Sequence, residues 1–215
     1  MLSKGGCVKY CLILVLLLTS NISTAESFRE GDDYIRLEAR VDTGLAQDKV
    51  QVLEFFWYGC VHCYYLDSHL NKWLGKQPEQ VVFRRIPSVM QKSWLVHAQA
   101  FYAGHRLAVH EKVHTPLFEA LHDRQLPLNE MGGLADFMAI KADLDPVAIE
   151  DQMLNMLTRA AVLEGVQLQK QYEVSGVPTL IINGKYAVNG RLAKGFSRMV
   201  RVLDYLVAKE LALRQ

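Results

Sequence analysis

The sequence predicts an α/β protein in which a strand–helix–strand unit and a later β-hairpin share one sheet, with a helical insert between them. Three observations predict this. Val50 to Trp57 (VQVLEFFW) is short, β-branched and aromatic, with almost no polar interruption, as a strand covered on both faces should be. Asn183-Gly184 stands between Thr179–Ile182 and Lys185–Val188, the strongest hairpin signal in the chain. From Ser88 to Arg159 strand signals vanish and apolar residues recur at helical spacing.

The chain opens on a segment that does not belong to this fold. Lys4 and Lys9 give it positive charge, Cys11 to Leu18 is an unbroken apolar run, and Ser23-Thr24-Ala25 supplies small residues before a cleavage point. That is the three-part layout of a secretory signal peptide. Eight apolar residues would span only about 12 Å, well short of the roughly 30 Å of hydrocarbon that a membrane anchor must cross. Loss of residues 1–25 leaves 190 of 215 residues and, without Lys4 and Lys9, takes the formal charge from +1 to −1. Cys7 and Cys11 go as well, so Cys60 and Cys63 are the only cysteines left. Export implies a compartment in which disulfides persist.

The remaining elements follow in order. Glu26 to Lys49 is polar and irregular and reads as an N-terminal arm. After the first strand, Leu66, Leu70, Trp73 and Leu74 form one helical stripe, and Gly75 stands where the helix would stop. Val81 to Ile86 (VVFRRI) reads as a second strand closed by Pro87, completing a crossover unit. In the insert, Ala98, Phe101, Tyr102 and Leu107 suggest one helix. Pro116–Leu121, Leu134–Ile140 and Pro146–Leu157 suggest three shorter ones, with Pro116 and Pro146 at first-turn positions. A helix over Ala160–Gln171 leads to the hairpin, and Met199, Leu203, Leu206 and Val207 give a final amphipathic helix. The division is therefore 26–87 and 160–215 for the sheet-bearing frame and 88–159 for the helical insertion.

Composition excludes some functions before chemistry is considered. Half the residues are hydrophobic and 22% are charged, so the chain is neither disordered nor low in complexity. Twenty-four basic residues against 23 acidic ones give no electrostatic case for nucleic-acid binding.

The chemistry concentrates at Cys60 and Cys63. A lone C-x-x-C pair suits metal ligation, redox chemistry or a quiet structural disulfide. Structural zinc needs four ligands, and neither His62 nor His69 completes a standard set. Covalent haem attachment needs histidine directly after the second cysteine, where Tyr64 stands. No metal is therefore expected. The histidines at 97, 105, 110, 114 and 122 lie in the helical region without cysteine partners and read mostly as surface residues. Redox chemistry suits the placement best, because the pair lies between a buried strand and the first turn of a helix. Unpaired N–H groups there stabilise a thiolate at Cys60, and His62 adds a donor or a charge beside it. Each pKa unit removed from Cys60 is about 1.4 kcal/mol in favour of its anion. Cys63, one turn in, would be shielded and would resolve a mixed disulfide.

Two further features support that reading. Val177-Pro178 precedes a strand near the cysteines, and a cis proline there would free the preceding backbone groups for an incoming extended peptide. An edge-strand start is the plainer alternative for Pro178. Glu54 is a lone acid in an apolar strand, and Arg84 on the adjacent strand is its expected partner. Glu54 could shuttle protons to Cys63 or form a structural ion pair.

The segments VLEFFWYGCVHCYYLD, KVHTPLFEAL (Lys112–Leu121) and SGVPTLIINGKYAVNG (Ser175–Gly190) resemble the DsbA family of bacterial thiol:disulfide oxidoreductases. The resemblance runs over nearly all of the mature chain, in the same order and spacing. It implies a thioredoxin-like fold interrupted by a helical domain. It also implies a monomeric periplasmic oxidase that passes its disulfide to unfolded exported polypeptides and is reoxidised by a quinone-linked membrane protein of the DsbB type. No cofactor beyond the cysteine pair is implied. By position, Cys60 matches the exposed nucleophile, Cys63 the resolving cysteine, and His62 the thiolate-stabilising histidine. Val177-Pro178 matches the cis-proline loop, and Glu54 and Arg84 the buried acid and base. One departure is Val61, where the best-known members carry proline; valine restores an N–H and freedom in φ.

Two other functions remain to be weighed. A reductase or isomerase is disfavoured because Glu26 to Lys49 leaves no room for a dimerisation module. A non-enzymatic peptide-binding chaperone would hold peptides at Val177-Pro178 and keep its cysteines as a structural disulfide.

Overall fold

The computed structural model describes residues 26–38 and 40–214. The expected signal peptide, with Cys7 and Cys11, lies outside the described residues. Two residues of the N-terminal arm form β1 (Ile35–Arg36). β2 (Val50–Phe56) is followed by α1 (Val61–Leu74) and β3 (Val81–Pro87). A short 3-10 turn, Lys92–Trp94, then leads to α2 (Leu95–Arg106), α3 (His110–His122), α4 (Met131–Ala142), α5 (Pro146–Leu154) and α6 (Met156–Gln171). β4 (Thr179–Ile182), β5 (Tyr186–Asn189), α7 (Gly190–Ala193) and α8 (Phe196–Ala212) complete the chain.

The five strands form one mixed sheet in the order β1-β5-β4-β2-β3. β2 runs parallel to β3 and antiparallel to β4, and β4 and β5 make the expected hairpin. Its turn matches its sequence, since Asn183 and Gly184 both take positive φ, at 52° and 63°. A Cβ on Gly184 would also run into the Val41 carbonyl, whose own residue donates its N–H back to Gly184 O. The arm is thereby tied to the hairpin, which is why a segment read as irregular contributes β1.

β2 is buried along its whole length because both sheet faces are covered. Val50, Val52, Leu180, Ile182 and Val188 pack with α1 and α8, through Leu66, Leu70, Met199 and Leu203. On the opposite face Leu53, Phe55, Ile86 and Ile181 pack with Tyr172 and Val174. A third apolar cluster fills the helical segment and includes Phe56, Tyr58 and Cys63 from the frame. The helical core therefore reaches the cysteine pair itself.

Several boundaries differ from the sequence expectation. α3 begins at His110, so Pro116 lies inside it and not in its first turn. That first half was missed because His110 and His114, which read as polar, fill buried positions of its stripe. His97, His110 and His114 are buried at 1%, 9% and 4% exposure, which corrects their reading as surface residues. Asn155 separates α5 from α6: it ends one helix, and its side chain accepts the Leu157 N–H of the next. α6 thus starts at Met156, and the expected division at 159/160 falls within it. Gly75 ends α1 with φ of −63°, so it stops the helix without the left-handed turn that glycine permits.

Candidate active site

Cys60 lies between the end of β2 and α1. Its extended backbone (φ −93°, ψ 110°) makes it the N-cap, and its Sγ accepts the Cys63 N–H at 3.4 Å. A sulfur occupies the position that serine or aspartate fills at most helix starts. The consequence is electrostatic, because the unpaired N–H groups of a first turn favour a negative charge. Hydrogen bonding from the Cys63 thiol is the largest influence, with the backbone N–H groups of Cys63 and His62 and the His62 charge adding to it. Together they outweigh partial burial and bring the Cys60 thiol down from its ordinary value of 9.0 to about 6.

Cys63 has the opposite environment. It is fully buried, and burial pushes its thiol well above the ordinary range. Both cysteines are free, so the structure represents the reduced dithiol. An accessible thiolate beside a sealed thiol can capture a partner's sulfur at one atom and expel it through the other.

The opposite wall of the site comes from distant sequence. Val177-Pro178 is a cis peptide bond, and the Val177 carbonyl receives the Cys60 thiol at 3.6 Å. A cleft of about 530 Å³ opens there, lined by His62, Ser175, Val177, Pro178, Arg191 and Phe196 among others. His62 is exposed and packs its ring near Phe196, at 5.9 Å between centroids.

The same fold recurs in known proteins. A family model described as "DSBA-like thioredoxin domain" matches residues 51–206. The chain belongs to the DsbA-like thioredoxin family. It is 34% identical over 209 residues to the thiol:disulfide interchange protein DsbA of Pseudomonas syringae pv. tomato, covering 95% of each. A second relative, DsbA of Azotobacter vinelandii, is 34% identical over 180 residues, covering 84% of this chain and 83% of the relative. The crystal structure of Pseudomonas aeruginosa DsbA superposes with a TM-score of 0.80 at 32% identity, over 86% of this chain and 96% of that one. This member of the DsbA-like family is accordingly a thiol:disulfide oxidoreductase with a thioredoxin-like fold. Among the described residues, no helix is long and apolar enough to cross a membrane.

Within this DsbA-like site, Cys60, His62, Cys63, Val177 and Pro178 converge as expected from sequence. Arg84 does not. Parallel register sets Glu54 opposite Arg85 and Leu53 opposite Arg84, so the arginine that shares Glu54's face is Arg85. Arg85 Nε donates to Glu54 Oε2 at 3.0 Å, while Arg84 points outward to Glu164 on α6 at 3.1 Å. Glu54 is only 2% exposed, and burial outweighs Arg85 to raise its carboxyl from 4.5 to about 7. Its charge also bears on the buried Cys63.

Asp67 was missed. It is 2% exposed and receives Arg85 Nη2 at 2.9 Å. An available signal was an acid on the apolar stripe of α1, one turn beyond Cys63 and beside Leu66 and Leu70.

Proposed function

We propose that this oxidoreductase acts as a monomeric dithiol oxidase in the periplasm, transferring its disulfide to unfolded exported polypeptides. The observation that carries the reading is the contrast between the two sulfurs: Cys60 caps α1 as a favoured thiolate, and Cys63 is sealed beneath it. Thiolate stabilisation exists only in the reduced form, so it favours giving the disulfide away.

In the proposed cycle a substrate thiolate attacks Cys60 Sγ. The Cys60–Cys63 bond breaks, its electron pair passes to Cys63 Sγ, and a mixed disulfide forms at Cys60. Glu54, whose carboxyl is raised to about 7, supplies the proton that the buried Cys63 requires. A second substrate thiolate then attacks the substrate sulfur of the mixed disulfide, releasing oxidised substrate and Cys60 thiolate. The substrate loses two electrons and the cysteine pair gains them, so no further cofactor is needed. The backbone beside Val177 and the adjoining cleft would hold the substrate in extended form. A quinone-linked membrane protein of the DsbB type would restore the disulfide, with Cys63 returning its proton to Glu54.

The test is trapping. The full chain carrying Cys63→Ala should accumulate mixed disulfides with exported proteins through Cys60. No such species above a Cys60→Ser, Cys63→Ala control would overturn the reading.

A further inference from the structure

The buried charges beneath the cysteines are unequal in number. Arg85 bridges two carboxylates, Glu54 on β2 and Asp67 on α1, at 3.0 and 2.9 Å. One cation between two anions leaves an excess negative charge in a site from which water is largely excluded, so one carboxylate is favoured to keep a proton.

Geometry decides which one. Asp67 accepts Arg85 Nη2, Asn71 Nδ2 at 3.0 Å and Thr115 Oγ1 at 2.9 Å. His114 Nε2 lies a further 3.3 Å from Asp67 Oδ1. The His114 ring is fixed there by Tyr58, whose hydroxyl lies 2.8 Å from His114 Nδ1. Glu54, among the described residues, has one side-chain donor, Arg85 Nε. Hydrogen bonds to a carboxylate favour its ionised form, so Asp67 holds the charge and Glu54 the proton. His114 and Thr115 both belong to α3 of the helical segment.

We propose that Asp67 is a positioning residue for the redox reaction: held ionised by Asn71 and Thr115, it takes a share of Arg85 and thereby keeps Glu54 protonated for exchange with Cys63. The helical segment would thus act on the chemistry through α3 as well as enclosing it. The groups facing Glu54 are Arg85 from β3, Asp67, Cys60 and Cys63 at α1, and Tyr58 from the loop before it. Its β4 partner, Leu180, is apolar. Burial raises the Glu54 carboxyl most, and the Asp67 charge adds to that effect. The Asp67 carboxyl itself stays below its ordinary value, because its donors outweigh its burial.

This inference rests on the reading of Glu54 as the proton donor to Cys63, and its test separates the two. Carbon-13 NMR of the whole protein, labelled at the glutamate and aspartate carboxyls, follows each titration directly. The signal of Glu54 is assigned by its loss in Glu54→Gln. Asp67→Asn leaves Arg85 wholly to Glu54, so the Glu54 midpoint should fall by about one unit or more. The pH at which the reduced protein's rate of disulfide resolution changes should fall with it. Thr115→Val is the milder variant should Asp67→Asn fail to fold. By removing one donor it should raise the Asp67 midpoint and lower that of Glu54.

An unchanged Glu54 midpoint in the folded variants overturns the proposal, and leaves Asp67 as a structural staple between α1, α3 and β3. A pH profile of resolution that is indifferent to Glu54→Gln overturns the earlier reading of Glu54 instead.

Discussion

The Sγ of Cys60 lies 3.6 Å from the carbonyl oxygen of Val177, a residue 117 positions away in sequence. Cys60 and the cis-proline segment are therefore brought face to face by the sheet, since β2 leads into Cys60 and β4 begins two residues after Val177. β2 and β4 are hydrogen-bonded neighbours, from Val52–Ile182 to Phe55–Thr179. That pairing fixes the width of the site.

The reduced protein should show a thiolate midpoint near 6 by ultraviolet absorbance, assigned to Cys60 by its loss in Cys60→Ser. Cys63→Ala removes the largest stabilising influence, the hydrogen bond from the neighbouring thiol, and should raise the midpoint. A Cys60 midpoint unchanged by Cys63→Ala would place the stabilisation in the helix terminus and His62 alone.

The redox potential should depend on pH with a break near the same value. Above about 6 the reduced pair binds one proton, on Cys63, so the potential should fall by about 30 mV per unit. Below the break both sulfurs are protonated, and the slope should be about 60 mV per unit. A single slope of about 60 mV from pH 5 to 8 would mean that Cys60 remains a thiol throughout.

Glu54 should destabilise the fold as pH rises. Its folded pKa, about 7, lies above the ordinary 4.5, so the folded state retains the proton more tightly than the unfolded chain. That advantage is complete below 4.5 and lost as pH rises through 7. Glu54→Gln should therefore gain stability relative to wild type between pH 5 and pH 8, by about 2 to 3 kcal/mol. Urea denaturation at the two pH values measures it, and an equal effect at both would contradict the raised pKa.

The two neighbouring arginines should differ sharply. Arg84 and Glu164 are both well exposed, at 46% and 57%, so Arg84→Ala should cost less than about 1 kcal/mol. Arg85→Met leaves Glu54 and Asp67 buried without their shared cation and should cost about 3 to 5 kcal/mol, most at alkaline pH. Similar losses in the two variants would reverse the assignment.

What was legible in the sequence is what periodicity and turn chemistry carry. β2 could be read because burial on both faces makes it continuously apolar. The hairpin could be read because Asn183 and Gly184 are the residues that tolerate positive φ. Cys60, Cys63 and Val177-Pro178 could be read because the reactive pair and the loop are local patterns. The sequence does not separate Arg84 from its neighbour Arg85, because a slip of one residue exchanges the faces of a strand and only the pairing with β2 fixes the parity. The buried histidines were misread for a different reason. A neutral imidazole is costly to bury in general, and nothing local reveals that His114 meets Tyr58 and Asp67, which lie 56 and 47 positions before it. The polar network beneath the cysteines is non-local throughout, with contributions from β2, β3, α1 and α3.

The equilibrium of the Cys60–Cys63 pair with a glutathione buffer series at pH 7 tests the oxidase assignment most directly. A potential more oxidising than about −200 mV is expected, placing the pair where it gives its disulfide to substrate thiols. A potential near about −270 mV, the thioredoxin range, would make it a reductant and contradict the assignment.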